Sequence, residues 1–175
     1  KHRGPDSDGK YVDEQIAMGF RRLSIIDLSD QGSQPIFNED KSLVLTFNGE
    51  IYNYKDLREE LVASGHKFYT QTDSEDMLDK LRGMFAFVIF NKNTNEVFGA
   101  RDFFGIKPLY YAKMGETLMW GSEIKSFLDH PHFKKELNTD VLETYLTFQY
   151  SPTTETFFKN VYKLPAAHCF TYKNG

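Results

Sequence analysis

Three features of the 175-residue sequence predict an α+β fold made mainly of antiparallel sheet. The stretch Gly83–Asn91, GMFAFVIFN, is a nearly continuous apolar run of strand length, which reads as a strand buried on both faces. Two turn signals, NKNTNE after that run and Met114-Gly115 further on, each separate a pair of candidate strands. Helix signals are few by comparison, so hairpin-connected strands dominate the layers.

Taken in order, the opening KHRGPDSDGK reads as loop, punctuated by Gly4, Pro5 and Gly9. Ile16–Phe20, Leu23–Asp27 and Leu43–Asn48 are strand candidates, the last two separated by the loop SDQGSQP. Asn53 can cap a helix from about Tyr54 to Ser64, with Leu57 and Leu61 one turn apart and Gly65 as the stop. His66–Thr70 is a short strand, and Thr72-Asp73-Ser74-Glu75 has capping-box spacing, so a helix is expected to begin near Asp73. Gly83–Asn91 turns through NKNTNE into Val97–Asp102, and Leu109–Lys113 into Thr117–Gly121. Glu123–Leu128 and Asp140–Phe148 are predicted helices, and His168–Tyr172 a final strand. No internal repeat or low-complexity stretch interrupts this pattern.

Forty per cent hydrophobic residues, with aromatic residues 15% of the chain, are enough for a packed core at this length. The net charge of −4 provides no basic field to attract nucleic acid. No apolar run approaches the roughly 20 residues that span a bilayer, and no secretory leader is visible, so a cytoplasmic location is expected. Cys169 is the one cysteine, which rules out an internal disulfide.

The residues that could carry chemistry are few. In FNGEIYNY, Asn48-Gly49 ends an apolar run as a hairpin turn would, yet a helix pattern follows instead of a returning strand. Either the pair is a simple turn, or it is an anion pocket in which the Asn amide and the Gly N–H donate to one oxyanion. Arg22 can hold a carboxylate with its planar fork, although most arginines are merely exposed. Strand alternation sends Arg21 and Arg22 to opposite faces, so only one enters a given pocket. Asp73 and Glu50 could each hold an ammonium group; the plainer readings are a helix first-turn acid and a solvated charge. Cys169 beside His168 is a poor thiol–imidazole pair, because strand neighbours diverge, and a small buried thiol is expected. His130-Pro131-His132 lacks a third metal ligand and reads as surface loop. No phosphate loop, paired-cysteine motif or dinucleotide fingerprint is present.

Together, HRGPD (2–6), RRLSIIDLSDQGSQP (21–35), FNGEIYNY (47–54), TDSE (72–75), LRGMFAF (81–87), RDFFGIKPLYY (101–111) and GSEIK (121–125) form an ordered set. That set resembles the glutaminase domain of glutamine-dependent asparagine synthetases, class II amidotransferases among the N-terminal nucleophile hydrolases. The resemblance implies a four-layer αββα sandwich of two antiparallel sheets, with residues 1–150 as the amidotransferase domain and 151–175 as its passage toward a synthetase domain. It also implies hydrolysis of glutamine to glutamate and ammonia, the ammonia then amidating ATP-activated aspartate in that second domain. By motif position, Arg22 would bind the substrate α-carboxylate, Asn48 and Gly49 form the oxyanion hole, and Asp73 with Glu50 bind the α-ammonium. Backbone at Leu23 and Ile25 would line the pocket. No cofactor is expected in this domain; ATP and Mg are expected in the synthetase domain. The implied partners are glutamine, that domain of the same polypeptide and, on its sheet-rich surface, a second copy as a homodimer; nucleic acid and membrane are not expected.

Two departures qualify the resemblance. The implied nucleophile, a cysteine at the mature N-terminus with its own α-amine as base, is not among these residues, and Cys169 lies in the wrong place to replace it. The helix between TDSE and LRGMFAF is also shorter than the family pattern, by about 15 Å if roughly ten residues are absent. Omitted residues are therefore expected ahead of Lys1, including the first strand, and between Met77 and Leu78. The competing readings are a scaffold that kept the fold without the nucleophile, as in β-lactam-forming synthetases, and a class II amidotransferase acting on phosphoribosyl pyrophosphate or fructose phosphate. RLSIID, RDFFGIKPLYY and GSEIK favour the asparagine group.

Overall fold

A computed structural model describes residues 7–22, 34–63 and 78–173. The chain forms two compact units, one of residues 1–100 with 170–174, the other of residues 101–169 with 175. The strand expected at Leu23–Asp27, the strand at His66–Thr70, the helix near Asp73, the Gly65 stop and the Met77 side of the Met77–Leu78 junction lie outside the described residues.

In the first unit, β1 (Ser7–Val12) and β2 (Ala17–Arg22) form an antiparallel hairpin from Ser7 opposite Arg22 to Val12 opposite Ala17. The opening was expected to be loop up to Lys10, but Ser7 to Lys10 belong to β1. The strand escaped notice because its half-buried row is Ser7, Gly9 and Tyr11, only one of them large and apolar. Asp13 makes the turn: its carboxylate accepts the N–H groups of Gln15 (2.8 Å) and Ile16 (2.9 Å) and the Tyr11 hydroxyl. Partial desolvation pushes the Asp13 carboxyl up, but those donors and the Lys92 charge outweigh it and leave it below the usual range.

The remaining strands of this unit form a five-stranded sheet in the order β10-β6-β5-β4-β3. They are β3 (Ile36–Phe37), β4 (Leu43–Ile51), β5 (Gly83–Asn91), β6 (Glu96–Arg101) and β10 (Cys169–Lys173). As its composition predicts, β5 is buried on both faces, with Phe85, Ala86, Phe87, Val88 and Phe90 all in the core. On one face Phe47, Phe85 and Phe98 surround Phe87, at ring separations of 6.5, 5.7 and 6.2 Å. The turn NKNTNE forms because the Asn91 side chain accepts the N–H of Asn93 (3.0 Å) and of Thr94 (3.3 Å), and Asn95 takes the left-handed conformation.

Cys169 was expected to be a buried thiol and is instead exposed. Alternation along β10 turns Phe170 and Tyr172 inward, so the thiol shares the outward row with Thr171 and Lys173.

Helix α1 (Tyr54–Ala63) follows β4 closely. Asn53 stands at its N-cap position as expected, its carbonyl accepting the Leu57 N–H (3.1 Å), but its side chain does not cap the helix. Its side-chain amide donates to the Lys80 carbonyl (2.8 Å) and accepts the Arg82 N–H (2.8 Å), fastening the β4–α1 corner to the approach of β5. Two fixed backbone partners across the fold outcompete one local N–H, as hydrogen-bonding capacity allows for an amide.

In the second unit, β7 (Tyr110–Met114), β8 (Thr117–Gly121) and β9 (Val161–Lys163) form an antiparallel sheet in the order β8-β7-β9. Ala112, Met114, Met119, Phe127, Phe133 and Val161 make its core. The helix expected over Glu123–Leu128 is only a 3-10 turn at Ile124–Ser126. The Ser126 hydroxyl bonds the Glu123 carbonyl at 2.6 Å, the local competition that shortens serine-containing helices. Helix α2 (Asp140–Phe148) is as predicted and ends at Gln149 in the left-handed conformation.

The motif RDFFGIKP is a knot in this unit. Asp102 is fully buried and its carboxylate accepts the N–H groups of Phe104 (3.1 Å), Ile106 (3.0 Å) and Lys107 (3.0 Å). Arg101 donates to the carbonyls of Lys107 (2.6 Å), Leu164 (2.6 Å) and Gly105 (2.5 Å). Desolvation lowers the Arg101 guanidinium from its usual value, while the Asp102 and Tyr110 charges oppose that shift. The loop so fixed presents Phe103, Phe104 and Ile106 to solvent. Asp102→Asn replaces an acceptor with an amide donor facing an N–H, and is expected to lower unfolding free energy by about 2–3 kcal/mol. The denaturation midpoint measures it; an unshifted midpoint would mean the loop holds without those bonds.

Candidate functional site

Of the candidate residues, Asn48, Gly49 and Glu50 lie in the last third of β4. Asn48-Gly49 was read as a turn or an anion pocket at a strand end, but the strand does not end there. It runs on to Ile51, with Asn48 opposite Ala86, Gly49 opposite Phe85 and Glu50 opposite Met84. A hairpin is excluded because β5 already occupies that edge of the strand.

The backbone at Gly49 explains why glycine stands there. Its φ is +153°, and a Cβ would sit 2.1 Å from the Met84 carbonyl oxygen and 2.6 Å from the Phe85 Cα. The opposite end of the pairing repeats the device: a Cβ on Gly83 would meet the Glu50 carbonyl oxygen at 2.1 Å. Strands β4 and β5 therefore approach unusually closely around Glu50, flanked by two glycines.

Alternation then assigns directions. Phe47 and Ile51 pack with the phenylalanine cluster, so Asn48 and Glu50 share the opposite face of β4. Asn48 is half-buried there and Glu50 exposed. The main-chain groups also alternate. Ser42 and Tyr52 bond toward β5, through Lys92 N–H to the Ser42 carbonyl (2.9 Å) and Tyr52 N–H to the Arg82 carbonyl (2.6 Å). Phe47 bonds the other way: its N–H donates to Oε1 of Gln34 (2.6 Å) and its carbonyl accepts from Nε2 of Gln34 (2.8 Å). Two residues on, the Gly49 N–H points to that same side, away from β5. The Asn48 side chain thus lies on one face and the Gly49 N–H at the adjacent edge, two donor types on neighbouring residues.

Of the other site residues expected from sequence, Leu23, Ile25 and Asp73 and the side chain of Arg22 lie outside the described residues. The backbone of Arg22 closes β2, opposite Ser7. His130 is half-buried and His132 exposed, and His132 Nδ1 lies 2.8 Å from the Thr117 hydroxyl. Among the described residues, no group of three or more metal-ligating side chains comes together, and no helix is long and apolar enough to cross a membrane. Gln34 escaped the sequence reading altogether. Its signal was its place before a proline, where a chain leaving a strand ladder still has backbone groups to satisfy.

The family model for a glutamine amidotransferase domain matches residues 1–175. Similar proteins include asparagine synthetase [glutamine-hydrolyzing] 1 of Bacillus subtilis, 45% identical over 98% of this chain and 29% of the relative. A second, asparagine synthetase [glutamine-hydrolyzing] 2 of the same organism, is 40% identical over 95% of this chain and 24% of its own length. The chain thus spans less than a third of the length of either relative. Among solved structures, the glutamine phosphoribosylpyrophosphate amidotransferase from B. subtilis aligns with a TM-score of 0.50 at 26% identity, covering 63% of this chain and 28% of that one. A structure described as the allosteric regulatory enzyme of purine biosynthesis aligns at 0.52 with 27% identity, over 63% of this chain and 28% of its own.

Proposed function

The chain belongs to the glutamine amidotransferase domain family, with the α+β, antiparallel-sheet fold of its N-terminal nucleophile members, and from that premise we propose that it is the glutamine-hydrolysing part of an asparagine synthetase. The observation that supports this reading is the Asn48-Gly49 pair itself, held in mid-strand with an amide side chain on one face of β4 next to a main-chain N–H directed away from β5. The identity of 45% to a glutamine-hydrolysing asparagine synthetase supports the choice of acceptor chemistry over the phosphoribosyl pyrophosphate reaction, whose enzyme is similar at 26%.

Glutamine is a zwitterion at one end and a primary amide at the other. In this reading Arg22 grips the α-carboxylate with two parallel bonds, and Asp73, aided by Glu50, receives the α-ammonium. Main chain at Leu23 and Ile25 lines the pocket between them. A cysteine thiolate then attacks the side-chain carbonyl carbon; it is a residue the family places at the mature N-terminus, and it lies outside these 175 residues. As the carbonyl oxygen takes on negative charge, Asn48 and Gly49 donate to it. The tetrahedral intermediate collapses as the leaving nitrogen takes the proton that the cysteine's own α-amine received from the thiol and departs as ammonia. Water then hydrolyses the resulting thioester to glutamate and the free thiol.

Ammonia would pass to a synthetase domain of the same polypeptide, which would hold ATP and Mg. The relatives' greater length supports such a domain. The rigidly held Phe103, Phe104 and Ile106 offer it an apolar surface to cover. The alignment with the first relative runs over 183 residues while covering 98% of this 175-residue chain, so that relative has positions without counterpart here.

The test is glutamine-dependent and ammonia-dependent asparagine synthesis by the full-length protein. Ammonia-dependent activity alone, together with a residue other than cysteine after the initiator methionine, would favour the scaffold reading. Arg22→Lys is expected to raise the KM for glutamine at least tenfold, because an ammonium cannot reproduce the planar two-bond fork, while ammonia-dependent synthesis persists. Parallel loss of both activities would instead make Arg22 a support of the fold.

A further inference from the structure

We propose that Gln34 is the positioning residue of the oxyanion hole, acting as a substitute peptide group that holds the strand just before Asn48. The inference rests on the functional reading above and adds a residue that no part of that reading contains.

The geometry begins with where β3 stops. Its two residues pair Ile36 with Leu45 and Phe37 with Val44, so continuing the ladder would bring residue 34 opposite Phe47. The regular strand stops at Ile36, so main chain no longer supplies the partners that Phe47 would meet there. The side chain of Gln34 completes the ladder instead. Its amide presents a carbonyl and an N–H in one plane, as a backbone peptide does, and meets both main-chain groups of Phe47, at 2.6 and 2.8 Å. Gln34 is half-buried, so these bonds are partly shielded from competing water.

What this holds is specific. The Phe47 carbonyl and the Asn48 N–H belong to one rigid peptide plane. Fixing that carbonyl fixes the tilt of the plane, and with it the direction in which the Asn48 side chain leaves the strand. The next residue is glycine at φ +153°, where no side chain helps to anchor the backbone. Strand β5 holds one edge of this segment and the Gln34 amide holds the other just upstream; losing the second hold leaves the donors to shift, and an error of about 1 Å in such placement can cost about 10²-fold in rate. A side chain is needed for this role because the main chain has already turned away at the proline.

The chemistry of an amide makes the test selective. Gln34→Leu removes both bonds at similar size. Gln34→Glu keeps the length and the acceptor for the Phe47 N–H, but its ionised form sets a second oxygen against the Phe47 carbonyl. The protonated form restores a donor there. Steady-state glutamine hydrolysis by the full-length protein is expected to show kcat about 10- to 100-fold lower for Gln34→Leu, with KM for glutamine changed less than about threefold. For Gln34→Glu, the ratio of variant to unsubstituted kcat is expected to rise as pH falls toward the carboxylic-acid range, about 4–5 or somewhat higher beside a carbonyl oxygen. The ratio for Gln34→Leu stays flat. Ammonia-dependent synthesis is unchanged in both.

Unchanged kcat in Gln34→Leu, or a pH-independent ratio for Gln34→Glu, overturns the role. So does parallel loss of ammonia-dependent synthesis, which would mark Gln34 as a general support of the fold. Should Gln34→Leu fail to fold, the pH profile of Gln34→Glu decides alone. If the unsubstituted protein hydrolyses glutamine and the variants match it, only this role fails. If the unsubstituted protein does not hydrolyse glutamine, the functional reading fails and takes this role with it.

Discussion

With Asn48→Ala, the kcat for glutamine hydrolysis by the full-length protein is expected to fall by about 10²–10³-fold, equivalent to about 2.7–4 kcal/mol of transition-state stabilisation. The KM for glutamine is expected to stay within about threefold, because the donor acts on an oxygen that carries full charge only in the tetrahedral intermediate. The fold should survive. Asn48 stands on the face of β4 opposite the phenylalanine cluster, and its backbone pairing with Ala86 does not depend on its side chain. Steady-state kinetics with glutamine, run beside ammonia-dependent synthesis, measure the effect. Unchanged turnover would remove Asn48 from the oxyanion role. A rise in KM with constant kcat would reassign it to ground-state binding.

Gly49→Ala is expected to damage stability and activity together. The added methyl has nowhere to go: the Met84 carbonyl oxygen lies 2.1 Å from the ideal Cβ position and the Phe85 Cα 2.6 Å. Both are main chain in the middle of a sheet, so no side chain can rotate aside. The φ of +153° adds conformational strain for any residue with a Cβ. Each contribution is of order 1–3 kcal/mol, so a loss of about 3 kcal/mol or more in unfolding free energy is expected. Relief by separating β4 from β5 would also swing the Gly49 N–H, and glutaminase activity should be lost even in molecules that remain folded. Gly19→Ala is the control. Nothing lies within 4 Å of its Cβ position, and it sits on the exposed row of β2, so its effect should be under about 1 kcal/mol. Equal midpoints for the two variants in chemical denaturation would mean the close approach of β4 and β5 relaxes freely.

These expectations depend on residues that differ in how far the sequence revealed them. The apolar run of β5 declared a strand buried on both faces because nothing polar interrupts it. NKNTNE declared its turn because Asn91 and Asn95 act locally, within four residues of one another. Asn48-Gly49 declared its chemical types but misreported its conformation. Its dipeptide preference favours a turn, and that local preference lost to the continuous ladder of β4 with β5, whose nine paired residues bury the core. Asn53 misled in the same way, since its partners are Lys80 and Arg82, 27 and 29 residues away. Cys169 was judged by residue type, and strand alternation overruled type.

The sequence alone determined the α+β class, most strands and helices, and the chemical inventory of the site, because periodicity, turn residues and functional groups are properties of short stretches of chain. Only the tertiary structure decided where those groups point. It set Asn48 and Glu50 on one face, turned the Gly49 N–H away from β5, required a glycine between two close strands, and placed the Gln34 amide against Phe47. Direction depends on register with a distant strand, and a one-residue shift in that register would reverse every face.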